Sequence, residues 1–208
     1  MAAASQGFDE AHGLPHSLRV ACTSLQLAKM EGYERRDLVV AAALLHDIGR
    51  GVEDEAGAHH AWLAAMLAEQ LLSPYMDADD IEAVAAAVLE HSYSYAKREA
   101  TRPSSILSCI ISDADKLDAI GAVGVARAIL HGHMKGRSLA DTVVHYRDKL
   151  ARLDRHLCLD SSRRMAEERL GLLHQFFEEL EKELAAVEVD AKALLRAVTR
   201  RLGENLRP

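Results

Sequence analysis

A histidine and an aspartate stand side by side at the end of an oily run, where Ala42–Gly51 reads AALLHDIGRG. Burying an imidazole and a carboxylate there without partners costs on the order of several kcal/mol. A cation would satisfy both most directly, although a His–Asp pair that merely caps its helix carries the same two-letter signature. Other polar residues in apolar settings add weight to His46 and Asp47. His16 opens a helical segment in AHGLPHSLRV, and Arg19, three residues on, shares its face. Ser112–Arg127, SDADKLDAIGAVGVAR, sets Asp113, Asp115 and Asp118 among Ile110, Ile111 and Ile120, where acids do not serve solubility. Asp115 and Asp118 face the same way on a helix. His91 ends a segment in LEHSYS, and His59 and His60 open another.

The elements that must position these residues read as helices throughout. Pro15 suits the first turn of a helix running to about Glu31, with Leu18, Ala21, Cys22, Leu25 and Ala28 as its apolar stripe and Gly32 as its stop. A second helix, about Arg35 to Ile48, is apolar nearly all round and therefore central. A polar loop is expected from Gly49 to Ala56, then a helix from Gly57 to Leu72 that stops before Pro74. Asp77 or Asp79 caps a fourth, ending near His91. Tyr93–Arg102 reads as a loop, and Pro103 opens the helix that carries Ile106, Ile110, Ile111 and Leu117. Beyond Gly132, two amphipathic helices are expected, about Leu139–Leu153 and Ser161–Val187, then a short terminal one. The second of these carries Leu172, Leu173, Phe176, Phe177, Leu180 and Leu184 as a stripe that covers the core or a dimer partner. No strand-like alternation and no internal repeat is visible. The expectation is an all-α chain of one domain, a core over 1–137 and a helical extension over 138–208.

Composition agrees. Of 208 residues, 49% are hydrophobic and 27% charged, while Gly (12) and Pro (4) are scarce, a mixture that favours helix. A net charge of −7 with 4% aromatic residues argues against nucleic-acid binding, which needs clustered cations and stacking surfaces. An anionic substrate then requires a locally positive site, which a bound metal supplies. Cys22, Cys109 and Cys158 show no metal-ligand or disulfide spacing and are expected to be buried free thiols. No leader-like or membrane-spanning run is seen, so a cytoplasmic location is expected.

The order H…HD…D, as His16, His46–Asp47 and Asp115, resembles the HD-domain superfamily of metal-dependent phosphohydrolases. The HxxxHxxRV form of His12–Val20, His91–Ser92, DADKLDAIGAVGVAR and the HYRDKL of His145–Leu150 resemble its small stand-alone subgroup, often called YedJ- or YpgQ-like. The likeness runs from about Ala11 to Leu184. It implies an HD-type helical bundle and a divalent ion on His16, His46, Asp47 and Asp115. Two imidazoles and two carboxylates suit Mn²⁺, Mg²⁺, Fe²⁺ or Ni²⁺ better than a closed structural zinc site. Gly13 stands where many relatives have Asp after the first histidine, and Pro15 follows, so His12 takes no role in this reading. His60 and His91 either complete a second metal site with Asp47 bridging or support a single ion from outside.

The resemblance implies hydrolysis of a phosphoester or phosphoanhydride, with a metal that polarises phosphoryl oxygens and lowers the pKa of water. Asp47, His91 and Asp118 are the candidate catalytic groups, and Arg19, Lys116 and Lys149 the candidate phosphate contacts. The expected partner is a small phosphorylated substrate, a nucleotide by kinship, such as a nucleoside triphosphate cleaved to monophosphate and pyrophosphate. Competing readings are a di-iron oxygenase on the same fold and a non-catalytic module that binds a nucleotide or metal. A homodimer is compatible with the sequence.

Overall fold

The computed structural model describes residues 12–205, so Ala11 lies outside it. Among these residues the chain forms ten α-helices and two 3-10 turns, with no strand. The all-α expectation holds. Helix α1 (Leu14–Met30) turns through Gly32, whose φ of 68° suits a residue without a side chain, into α2 (Arg36–Leu45). Helix α2 ends before Ile48, and the expected loop after it is a 3-10 turn (Ile48–Val52) followed by the short α3 (Glu53–Ala56). Helix α4 (His60–Leu72) begins three residues later than expected because His59 caps it, its Nδ1 accepting the Ala61 N–H. Asp77 is the cap of α5 (Ala78–Glu90).

The expected loop after His91 is instead a short helix, α6 (Tyr93–Glu99), started by the Ser92 hydroxyl and stopped by Ala100 in the left-handed region. Ser105, rather than Pro103, sets the start of α7 (Ile106–Asp118), and α8 follows (Gly121–Met134). A capping box of Ser138 and Asp141 opens α9 (Leu139–Asp148), shorter than expected, with the second 3-10 turn at Leu150–His156. The two separate C-terminal helices of the sequence reading are one, α10 (Asp160–Asn205). No proline interrupts that stretch, and a single helix needs no break at Val187.

Helix α1 packs against α2 and α7, α5 against α2, α4 and α7, and α10 lies over α7 and α8. Val20, Val39, Ile110, Ile111, Leu117, Leu173 and Phe177 are fully buried between them. Two stripes run in a different register from that expected. On α1 the buried face is His16, Ser17, Val20, Ala21, Ser24 and Leu27, which leaves Leu18 and Cys22 exposed. Cys22 is thus a surface thiol, and Cys109 and Cys158 are only partly covered. On α10, Leu173 and Phe177 are buried, while Leu172 and Phe176 remain exposed. No described helix is long and apolar enough to cross a membrane.

Candidate metal centre

His46 and His91 are held by one device used twice. Each follows the last residue of a helix, α2 and α5, where carbonyls have lost their intrahelical partners. His46 Nδ1–H donates to the Ala43 carbonyl at 2.7 Å, and His91 Nδ1–H to the Val88 carbonyl. In α1, His16 gives its Nδ1–H to Asp118 Oδ2 at 2.7 Å. At the start of α4, His60 gives its own to Glu53 Oε1 at 3.1 Å, an oxygen that also accepts the His60 backbone N–H. With every Nδ1 proton committed to an oxygen, each of the four rings, when neutral, presents a bare Nε2 lone pair.

Those lone pairs gather around Asp47. Its Oδ2 lies 3.8 Å from His16 Nε2 and 3.7 Å from His46 Nε2, while its Oδ1 lies 3.5 Å from His91 Nε2 and 3.7 Å from His60 Nε2. Asp115 Oδ1 is 3.3 Å from His16 Nε2. His16 and His46 face each other Nε2 to Nε2 at 3.1 Å, a contact that two lone pairs cannot make favourably. Asp47 Oδ1 and His60 Nε2 are buried with no hydrogen-bond partner. Such orphaned atoms, all donors of electron pairs, are what a cation would satisfy. His16, His46 and Asp115 form one group close enough to share an ion, and His46, Asp47 and His91 another.

The electrostatics keep these groups in ligand form. Burial holds the His46 imidazole down to about 4 and that of His60 to about 3. Burial would raise the Asp47 carboxyl, but Arg50 and the surrounding histidines hold it well below the usual carboxylate range. Burial likewise opposes Asp115, and His16 outweighs it to the same effect. At His16 burial disfavours the proton, but Asp115 and Asp118 outweigh it and hold the imidazole above its usual pKa.

Two neighbours escaped the sequence reading. Arg50 Nε is 2.7 Å from Asp47 Oδ2, and His12 Nδ1 is 3.2 Å from the same oxygen. Arg50 was findable, since it follows Asp47 by three residues. Both line a cavity of about 220 Å³ with Arg127, Arg137, His145 and Lys149. Of the three cations singled out in the sequence, Lys149 alone borders this cavity. Arg19 is engaged by Asp118, Nε to Oδ1 at 3.0 Å. Lys116 turns its ammonium to Ser112, bonding its carbonyl at 3.1 Å and its hydroxyl, and faces a different cavity.

A model of the HD domain family matches residues 13–120, more than half of the chain and all of the cluster except His12. This chain belongs to the HD-domain family. It is 29% identical over 185 residues to the uncharacterised protein YpgQ of Bacillus subtilis, spanning 86% of this chain and 87% of that one. The crystal structure of YpgQ in complex with ADP matches with a TM-score of 0.68 at 28% identity, over 88% of this HD protein and 94% of YpgQ. A Lactobacillus plantarum structure reaches 0.74 at 27%, over 89% and 93% of the two chains. One from an uncultured Thermotogales bacterium, described as a predicted HD superfamily hydrolase, reaches 0.63 at 27%, over 88% of each. HD domains bind divalent metals, and this one has a His/Asp cluster with the donors to do so.

Proposed function

We propose that this HD domain is a metal-dependent phosphohydrolase that acts on a nucleotide. The observation that carries the reading is a cluster of facing imidazole nitrogens and carboxylates beside a cavity lined by Arg50, Arg127, Arg137 and Lys149. His16, His46, Asp47 and Asp115 would hold one divalent ion, Mn²⁺, Mg²⁺, Fe²⁺ or Ni²⁺ by donor type. His60, His91 and Asp47 would hold a second. Such ions supply Lewis acidity toward a phosphoryl oxygen and acidify water.

The chain's own groups do the rest. Arg137 has a buried guanidinium nitrogen with no hydrogen-bond partner, suited to a phosphate oxygen. Lys149, whose ammonium burial holds below its usual pKa, sits in the same wall. His12 and Arg50 both line this cavity and lie against Asp47 Oδ2, and the Arg50 guanidinium would draw an anion toward the cluster. Asp118 acts through His16 by holding its ring. A nucleotide is favoured as substrate because the similar protein YpgQ was crystallised with ADP.

Elemental analysis paired with a metal-by-nucleotide hydrolysis screen tests the reading. Phosphate or pyrophosphate should be released only with a divalent ion present, and His46→Ala and Asp47→Ala should abolish release. Full activity in either variant overturns the site. His60→Ala should lower the metal content from two ions per chain to one. Oxygen consumption by a protein holding two irons, without phosphate release, would move the assignment to the oxygenase reading of the same six ligands.

A further inference from the structure

Cys109 and Cys158 are distant in the chain and come together where α10 begins. The residue that joins them is Asp113, fully buried on α7. Its carboxylate accepts the Cys158 backbone N–H at 2.9 and 3.0 Å and the Leu159 N–H at 2.9 Å. Cys109 precedes Asp113 by one turn on the same face of α7. Helical side chains lean toward the N-terminus, so the Asp113 carboxylate lies over the turn that carries Cys109. The two thiols meet there, the Cys158 S–H donating to the Cys109 sulfur.

Both cysteines are partly buried in the wall of a cavity of about 510 Å³, which also reaches His91 and has the exposed Arg102 and Arg155 at its rim. A small oxidant can therefore reach the pair. The backbone on either side is fixed: Cys109 lies within α7, and the Arg163 guanidinium holds the Leu157 and Cys158 carbonyls at 2.8 and 3.2 Å. Two thiols already held in contact lose little further freedom on joining. Cys22, exposed on α1, lines a different cavity.

We infer that Cys109 and Cys158 form a modification site, a dithiol that hydrogen peroxide closes to a disulfide, clamping the start of α10 to α7. The Cys109 thiolate attacks one peroxide oxygen; an S–O bond forms, the O–O bond breaks, and hydroxide leaves to become water. The Cys158 thiolate then attacks the sulfenic sulfur; the S–S bond forms, the S–O bond breaks, and a second water departs. Two thiols and one peroxide become one disulfide and two waters, the sulfurs giving up the two electrons that the oxygens take. Burial pushes both thiols above their ordinary range, Cys158 the further because the Asp113 carboxylate lies beside it. Scarce thiolate makes closure slow, and poorly acidic thiols leave slowly, so the closed bridge resists exchange with small thiols. The bridge ties the helix that carries Asp115 and Asp118 to the long helix lying over it.

The test is oxidation of the full-length, metal-loaded Cys22→Ser variant with hydrogen peroxide in native buffer, followed by alkylation and peptide mass mapping. Of the three cysteines, only the pair then remains. Both thiols should disappear together, the intact mass should fall by two hydrogens, and the Cys109 and Cys158 peptides should be recovered as one cross-linked species from the monomer. With Cys158→Ser added, that mass loss should vanish and Cys109 should be trapped by dimedone as its sulfenic acid. Two thiols that still alkylate freely after oxidation overturn the inference. So does a cross-link that forms only between chains, or only after the chain is unfolded in urea, because the native fold would then not hold the sulfurs together.

Discussion

Asp118 accepts from three residues: His16 Nδ1 at 2.7 Å, Arg19 with its Nε at 3.0 Å, and an Arg127 guanidinium nitrogen at 2.9 Å. A carboxylate on the outer nitrogen of a ligating histidine fixes the tautomer and makes the inner nitrogen more basic, and losing it typically costs about 10–100-fold in metal affinity. Asp118→Asn should therefore weaken divalent-ion binding by about that factor with helix content unchanged, as read by competition with a metal-indicator chelator. Unaltered affinity would remove Asp118 from this role. The three acids of SDADKLD look alike in the sequence and separate only in space. Asp115 faces His16, and Asp118 backs it. Asp113 is fully buried and accepts the backbone N–H groups of Cys158 and Leu159 at 2.9 to 3.0 Å, tying the entry of α10 to α7. An acid among isoleucines is thus explained in this one case by an uncapped helix entry rather than by an ion.

Helix ends, more than helix middles, build the cluster. His46 and His91 sit where α2 and α5 run out of hydrogen bonds, and His60 sits in the first turn of α4. The turn after Asp47 must press against α4 to bring His60 near, and Gly49 makes this possible. A Cβ there would meet the His60 carbonyl, with Ala64 N at 2.7 Å and Leu63 Cβ at 2.9 Å, all on α4. Overpacking of this kind costs about 1–3 kcal/mol. Gly49→Ala should lower the urea midpoint accordingly and shift His60 away, so that the ion held through His60 is lost before the one held by His16. An unchanged midpoint would mean that α4 yields freely. In the sequence Gly49 reads as a helix stop; its requirement for closeness to α4 appears only when the two segments are packed.

At the scale of the molecule, an acidic chain surrounds pockets of opposite sign, and the ligand cluster is assembled from α1, α2, α4, α5 and α7. An ion bound by donors that three of these helices bring together, as at His16, His46, Asp47 and Asp115, is bound only by the folded state. At a free concentration about 100 times its Kd it should stabilise the fold by about 2.7 kcal/mol, which for a chain of this size raises Tm by about 5–10 °C. Thermal melts with and without Mn²⁺, and again after a chelator, check this. No rise with any divalent ion would be incompatible with a preformed site.

The linear order of residues determined the helical class, from composition and 3.6-residue periodicity, and it drew attention to His16, His46, Asp47 and the acids of Ser112–Asp118, because polar groups in apolar runs demand an explanation wherever they fold; only the resemblance to HD proteins separated Asp115 from its neighbours. It did not determine helix registers such as that of α1, where close packing favoured Ser17 and Ser24 over Leu18 and Cys22. Nor did it reveal His12, Arg127 and Arg137 as neighbours of the cluster, or turn Lys116 away from it. Those outcomes depend on which side chains meet across distant helices. Periodicity describes one helix at a time, whereas a cavity's charge is set by the several helices that enclose it.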